Sequence, residues 1–126
     1  MKQNLTINVT HTNLGIARIT LNEPETYNAL SSTTLKLLIK NLKILDNENK
    51  TKVIVIEGSG KGFSAGHDLK EVRSLKDKNK YNSLFNLCSQ LMIKITECKK
   101  PIIAKVHGAA FAAGCQLVAS CDLAIS

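Results

Sequence analysis

Four consecutive β-branched apolar residues, Val53 to Ile56, constrain the fold of this chain more than any other stretch. A strand with no polar alternation is typical of parallel sheets, which are covered on both faces. The loop after it is rich in glycine: Gly58, Gly60, Gly62 and Gly66. Asp68 then stands at the start of a predicted helical turn. The stretch therefore predicts a strand–loop–helix unit of an α/β fold.

This glycine-rich loop is open to two interpretations. Bare backbone N–H groups ahead of a helix can bind negative charge. The spacing excludes both familiar phosphate motifs, because the third glycine of a dinucleotide fingerprint is missing and Lys61 is followed by Gly62 rather than by Ser or Thr. Glycine content alone favours a long connection without chemistry over a backbone-built anion site.

Hydrophobic periodicity assigns most of the remaining chain to strands and helices. Ser31 and Ser32 are candidate N-caps of the first helix, and the stripe from Tyr81 to Ile95 is the clearest amphipathic pattern. The predicted elements are, in order, a β-hairpin over 4–21, a loop over 22–28, a helix over 33–45, the strand 53–56, a helix over 81–95, a strand over 102–106, a helix over 115–121 and a strand from 122 onward. Two successive strand–loop–helix units favour parallel pairing.

A second loop of small residues follows the strand that ends at Val106. From Gly108 to Gly114 it contains only glycine and alanine apart from Phe111, so that backbone can approach backbone or a ligand closely. Open α/β sheets bind ligands beyond the carboxyl ends of their strands, where both loops are predicted to lie. Two converging backbone N–H groups there would form an oxyanion hole.

Composition limits the classes of function. The 126 residues, 44% apolar and 21% charged, suit one globular domain. A net charge of +7 permits binding to nucleic acid, to acidic membranes or to phosphorylated small molecules. The lysines are scattered and no RNA-binding aromatic motif accompanies them, so nucleic-acid binding is the least favoured function.

Neither a signal peptide nor a transmembrane run is found, so we expect a cytoplasmic protein without membrane partners, with mitochondria as an alternative.

The cysteines lie in apolar periodic segments without C-x-x-C spacing: Cys88, Cys98, Cys115 and Cys121. This pattern predicts reduced core residues rather than disulfides or metal ligands, and no metal site.

Three segments of the chain resemble the enoyl-CoA hydratase/isomerase (crotonase) superfamily. They are FSAGHDLK at 63–70, PIIAKVHG at 101–108 and AAGCQL at 112–117. Asn28-Ala29-Leu30, ahead of the first helix, also matches the family pattern. The resemblance implies an α/β, crotonase-like fold of repeated ββα units, with residues 1–126 as the truncated N-terminal part of a single domain. Residues 112–122 are most similar to the branch of enoyl-CoA hydratase domain-containing proteins.

The resemblance also implies a ligand and its contacts. The ligand is an acyl-CoA thioester, and no separate cofactor is expected because coenzyme A is part of the substrate. The thioester oxygen would accept hydrogen bonds from the backbone N–H groups of His67 and Ala113, which gives the His67 side chain no catalytic role. The residues expected along the substrate, with the first and last near the CoA adenine and phosphates, are Ala65, Gly66, Asp68 and Lys70.

Two departures from the family pattern leave the activity open. Gln116 stands where the hydratases have their first catalytic glutamate, and a neutral amide cannot exchange a proton near neutral pH. The second glutamate would lie beyond Ser126. The chain is therefore either a lyase or isomerase of fatty-acid or acyl-CoA metabolism or a CoA-binding module without turnover. The absence of the family's later elements also predicts self-association or a complementing C-terminal polypeptide.

Overall fold

The structure is a computed structural model, and it describes residues 6–126. Within this range five strands form a single sheet: β1 (Ile7–His11), β2 (Ile16–Leu21), β3 (Val53–Gly58), β4 (Ile102–Lys105) and β5 (Leu123–Ile125). The α-helices of the same range are α1 (Ser32–Asp46), α2 (Leu69–Ser74), α3 (Lys78–Glu97) and α4 (Ala113–Ser120). The predicted α/β class is confirmed.

The strands are adjacent in the sheet in the order in which they follow one another along the chain. β1 pairs with β2 antiparallel, whereas the pairs β2–β3, β3–β4 and β4–β5 are parallel. The central strand β3 places Ile54 opposite Ala17 of β2 and Ile102 of β4, and all three side chains are fully buried. Parallel pairing brings the carboxyl ends of β3 and β4, and the loops that follow them, to the same edge of the sheet.

Burial of β3 differs from the prediction that both of its faces are covered. Ile54 and Ile56 are fully buried, but Val53 and Val55 are only half-buried. The helices explain the difference, because α1 and α3 share one hydrophobic core with Ile54 and Ile56. The opposite face of the strand has less cover within the described residues.

The two long helices have the apolar faces that their periodicity predicted. Ser31 is the N-cap of α1, and its Oγ accepts a hydrogen bond from the Thr34 N–H at 3.2 Å. The buried apolar residues of these helices are Leu35, Leu38, Leu42 and Leu45 in α1 and Leu84, Cys88, Leu91 and Ile95 in α3. Burial of a leucine-sized side chain is worth about 1.5–3 kcal/mol, so these two faces supply much of the stability of the fold.

The shorter elements depart from the predicted bounds by a few residues. The predicted hairpin is confirmed as β1 and β2, although its first two residues lie outside the described range. The loop over 22–28 contains one turn of 3-10 helix, Pro24–Thr26, which Pro24 favours because its ring fixes φ. α4 begins at Ala113, two residues earlier than predicted. No helix among residues 6–126 is long and apolar enough to cross a bilayer.

Candidate functional site

The two small-residue loops lie against each other at the carboxyl ends of β3 and β4. We call residues 59–68 the first loop and residues 106–112 the second loop. The Phe63 N–H donates to the Ala109 carbonyl at 2.9 Å, and the Phe111 N–H donates to the Ser64 carbonyl at 3.0 Å. His107 Nε2 also bonds the Gly60 carbonyl at 2.6 Å. The convergence of the loops, which the sequence could only suggest, is therefore a set of direct hydrogen bonds.

Glycine is required where the first loop meets the start of α4. Gly66 has φ +91°, and a Cβ at this position would lie 2.9 Å from the Phe111 carbonyl oxygen and 3.3 Å from the Ala113 nitrogen. A Cβ on Gly114 would lie 2.5 Å from the Ser64 carbonyl oxygen. The absence of a Cβ at Gly66 and Gly114 therefore lets the backbone of the first loop pack directly against the first turn of α4.

Replacement of Gly114 tests this contact. We expect Gly114→Ala to lower the free energy of unfolding by about 1–3 kcal/mol, because backbone must move to admit the methyl group. Gly62→Ala is the matched control, since a Cβ at Gly62 would meet its nearest neighbours at 3.5 Å, an ordinary contact distance. Urea unfolding of the two variants measures the difference, and equal stabilities would show that the first loop and α4 are loosely packed.

The two predicted donors, the backbone N–H groups of His67 and Ala113, lie on the segments that meet here. His67 directly follows Gly66, which approaches the Ala113 nitrogen. Neither N–H donates a hydrogen bond to a protein acceptor within residues 6–126. Ala113 is also the first residue of α4, where N–H groups have no partner inside the helix. Both N–H groups therefore lack a protein acceptor in this part of the chain, although Ala113 as a residue is buried.

The residue before Ala113 has an unusual backbone conformation. Ala112 is the N-cap of α4 with φ 49° and ψ −118°, a region that L-residues rarely adopt. Such a conformation costs about 1–3 kcal/mol and persists only where surrounding contacts impose it. Here the Ala112 carbonyl accepts the Gln116 N–H at 3.0 Å, and the conformation fixes the direction of the Ala113 N–H.

A buried asparagine positions the first loop. Asn28 Nδ2 donates to the carbonyls of Ser59 and Gly62 at 2.9 and 3.0 Å, and its Oδ1 accepts from the Glu23 N–H at 2.8 Å. Its backbone is left-handed, with φ 54°, a conformation that asparagine tolerates better than most residues. Sequence reasoning noted Asn28 only as part of a family match and did not find this role.

Ser64 completes the link between Asn28 and the first loop. Its buried hydroxyl donates to the Asn28 carbonyl at 2.9 Å and accepts from the Gly66 N–H at 3.2 Å. Sequence analysis considered Ser64 only as part of a family motif. Nothing in its neighbourhood along the chain indicates a partner 36 residues away. The hydroxyl therefore fixes the Ala65–Gly66 peptide, which precedes the peptide that carries the His67 N–H.

The side chains of His67 and Gln116 line one cavity of about 570 Å³. Its apolar wall comes mainly from α3, through Phe85, Met92 and Ile93. The His67 ring meets the Phe85 ring edge to face at a centroid distance of 5.2 Å. Burial lowers the pKa of His67, and the nearby Glu71 carboxylate opposes this only in part. The cavity therefore combines an apolar wall with polar groups from His67, Gln116 and two serines, Ser89 and Ser120.

The other predicted substrate residues are distributed differently. Ala65 lines a separate apolar cavity of about 210 Å³ with Tyr27 and Phe111. Asp68 is the N-cap of α2, because its Oδ1 accepts from the Lys70 N–H at 2.9 Å, which confirms the predicted cap. Lys70 lies exposed on the same helix. The structure therefore brings His67, Ala113 and Gln116 together.

The prediction that all four cysteines are core residues is wrong for Cys115. All four are free, but Cys115 is exposed, because it lies on the outer face of α4 opposite the buried Leu117. Cys88 is buried, and the other two are half-buried. Burial and the neighbouring Asp122 raise the pKa of Cys121 to about 12, and burial raises the pKa of Cys88. No group of three His, Cys, Asp or Glu residues in the described chain is placed to hold a metal ion.

Thiol alkylation tests this distribution. At pH 8 we expect iodoacetamide to modify Cys115 at least tenfold faster than Cys121, because the thiolate is the reactive form and a raised pKa suppresses it. Peptide mass spectrometry of a time course measures both rates, with urea-unfolded protein as the control in which all four cysteines react. Equal rates in the native protein would contradict the burial of Cys121.

Comparison with known proteins agrees with this architecture. The sequence profile of the enoyl-CoA hydratase/isomerase family matches residues 11–126. The chain belongs to this family. It is 45% identical over 112 residues to the mitochondrial enoyl-CoA hydratase domain-containing protein 3 of Danio rerio, covering 89% of this chain and 39% of the relative. The predicted branch of the family is therefore confirmed.

Solved structures give the same result for the fold. The enoyl-CoA hydratase of Mycobacterium smegmatis matches with a TM-score of 0.93 and 41% identity over 96% of this chain and 47% of its own. Human enoyl-CoA hydratase domain-containing protein 3 matches with a TM-score of 0.90 and 40% identity, over 95% and 47%. The crotonase-like fold is thus confirmed. The chain spans less than half the length of these relatives and resembles their N-terminal part.

Proposed function

We propose that this member of the enoyl-CoA hydratase/isomerase family binds an acyl-CoA thioester, whose carbonyl oxygen accepts hydrogen bonds from the His67 and Ala113 N–H groups. The observation that supports this most strongly is the close approach of two segments whose backbone N–H groups have no protein acceptor among residues 6–126, next to the cavity that His67 lines. Donors fixed by backbone need no rearrangement when charge develops on a carbonyl oxygen, which makes them effective in an oxyanion hole.

The remainder of the ligand has surfaces of suitable chemistry on both sides of the donors. The acyl group would enter the cavity between α3 and α4, where Phe85, Met92 and Ile93 form an apolar wall. The CoA moiety would extend past Ala65, whose cavity next to Tyr27 has an almost entirely apolar lining that suits a purine ring. Lys70 is exposed nearby on α2, and the net charge of +7 favours a polyanionic ligand.

The chemistry that follows binding is limited by the groups in the cavity. Polarisation of the carbonyl acidifies the α-carbon and activates the β-carbon of an enoyl thioester, but hydration or isomerisation also needs a proton donor and acceptor. Within the described residues no carboxylate lines the cavity of His67 and Gln116, and the His67 imidazole could supply at most one of these two roles. We therefore propose a role in acyl-CoA metabolism in which the chain binds thioesters without turning them over by itself, and without a cofactor other than the CoA of its ligand.

Calorimetric titration tests the binding. We expect butyryl-CoA to bind saturably and free butyrate not to bind. Lys70→Ala should weaken the ester through lost attraction to phosphate, whereas Lys94→Ala, a charge-matched control on α3, should leave the affinity unchanged. Absence of saturable binding by butyryl-CoA would overturn the proposed function.

A further proposal concerns a polypeptide partner. Large apolar side chains near the end of the sheet are exposed: Phe111, Leu123 and Ile125. β5 is an edge strand within the described residues, and such edges pair readily with other strands. We propose that this surface is covered by a second copy of the chain or by a complementing polypeptide equivalent to the rest of the family fold, as part of one crotonase-like domain.

Light scattering tests whether the covering partner is a second copy of the chain. We expect the purified chain to be at least dimeric at tens of micromolar, and Ile125→Lys to shift it towards monomer, because a charge on this strand opposes edge pairing. Ile44→Lys is the control, since Ile44 is also exposed but lies on α1. A monodisperse wild-type monomer would favour a heterologous polypeptide over self-association.

We propose an intracellular location, cytoplasmic or, as in the relatives named mitochondrial, in mitochondria.

A further inference from the structure

The His67 side chain has two ring nitrogens in different environments. Nδ1 is buried and has no hydrogen-bond partner within the described residues. Nε2 is not among the buried unpartnered nitrogens and forms no hydrogen bond there, so it is the ring nitrogen that remains accessible. Because His67 lines the cavity beside Gln116, an occupant of this cavity meets the accessible edge of the ring.

These environments determine where the imidazole proton lies. A buried N–H without an acceptor costs more than a buried lone pair, so the single proton of the neutral ring is placed on Nε2. A second proton would put an unsatisfied N–H on Nδ1 and a charge beside Phe85, which agrees with the pKa of His67 being lowered by burial. Glu71 is the charged group that acts in the opposite direction, and its carboxylate is already bound to the N–H and hydroxyl of Ser32 at 2.9 and 2.5 Å.

We propose that the neutral His67 imidazole is a specificity-determining group, whose Nε2–H donates to an oxygen on the acyl moiety of the bound CoA thioester. This inference rests on the proposed function, since it places the thioester at the His67 and Ala113 N–H groups. The side chain that binds the substituent and the backbone donor that binds the carbonyl then belong to one residue. The oxygen must lie within a few bonds of the carbonyl, and a hydroxyl or keto oxygen is the acceptor that suits a neutral donor.

The rest of the cavity wall is consistent with a short, oxygenated acyl group. Gln116 adds a neutral amide, and Ser89 and Ser120 add hydroxyl groups among apolar side chains. A long saturated chain gains nothing from these groups and leaves the His67 donor without an acceptor. A donor that loses its partner on binding is a source of discrimination between ligands of similar size.

Competition between two ligands of equal chain length tests the inference. Calorimetric titration compares 3-hydroxybutyryl-CoA with butyryl-CoA on the full chain. We expect the wild type to prefer the hydroxyacyl ester by about 3- to 10-fold, the range expected for one net hydrogen bond. His67→Phe keeps a ring against Phe85 but removes the donor, and should reduce the preference for the hydroxyacyl ester to about one. His11→Phe, the same change at an exposed histidine of β1, should keep the preference.

Nitrogen-15 NMR of the wild-type imidazoles supplies a measurement that needs no stable variant. We expect the Nε2–H tautomer for His67 and a change of its Nε2 shift with the hydroxyacyl ester but not with butyryl-CoA. Equal binding of both esters by the wild type, a preference that survives in His67→Phe, or an Nδ1–H tautomer would each overturn this inference and leave the proposed function intact. Failure of both esters to bind would overturn the two together.

Discussion

Hydration of crotonyl-CoA by the 126-residue chain is expected to be indistinguishable from background. The polarised carbonyl is one of three requirements, and the acid and base that the reaction also needs each contribute about 10²–10⁴-fold in rate. Gln116 is neutral, and no other residue lining its cavity is a carboxylate in the part of the chain that is described. The loss of absorbance from the conjugated enoyl thioester, followed over hours, measures the rate of hydration.

The single change Gln116→Glu should not restore hydration, because one carboxylate supplies only one of the two proton-transfer roles. Ala119→Glu is the matched control, since Ala119 also lies on α4 and lines the same cavity. A rate for Gln116→Glu more than about tenfold above both the wild type and Ala119→Glu would show that one carboxylate and the backbone donors suffice.

The second large effect is expected from removal of a backbone donor. Ala113→Pro eliminates the N–H, and proline is tolerated at the first position of a helix. We expect it to weaken binding of acetoacetyl-CoA, whose enolate oxygen carries negative charge, by about 10²-fold, the loss typical for one oxyanion donor. Free CoA does not place a carbonyl between the donors, so its affinity should change by less than about threefold.

Ala113→Gly is the control for this experiment, because it alters the same side chain but keeps the N–H. Thermal melting of both variants shows whether the proline, next to the unusual conformation of Ala112, disturbs α4 as a whole. An equal loss of acetoacetyl-CoA and CoA affinity in a folded Ala113→Pro protein would contradict the role of this donor.

Local patterns were sufficient to predict most of the fold. The stripes of α1 and α3 and the alternation in β1 and β2 depend on residues close together in sequence, and each appears as predicted. Asp68 was expected to cap a helix, and its side chain does so. The predicted burial of both faces of β3 was less accurate. An apolar run such as Val53 to Ile56 does not indicate how many helices cover each face of the sheet.

The candidate site contains features that depend on tertiary contacts, and these could not be predicted. Asn28 bonds to carbonyls more than 30 residues away, and no local pattern indicates such partners. The positive φ of Ala112 is imposed by packing on a residue that would not adopt it alone. Cys115 lies in an apolar segment but faces outward, because helical phase rather than composition decides exposure. The unequal environments of the two His67 nitrogens likewise follow from packing.

A crystal structure of the chain with acetoacetyl-CoA tests the central claim most directly. We expect the thioester oxygen within about 2.7–3.2 Å of the backbone nitrogens of both His67 and Ala113, with the acyl group in the cavity between α3 and α4. A thioester oxygen beyond hydrogen-bond distance of both nitrogens, or CoA bound at another surface, would contradict the proposed site.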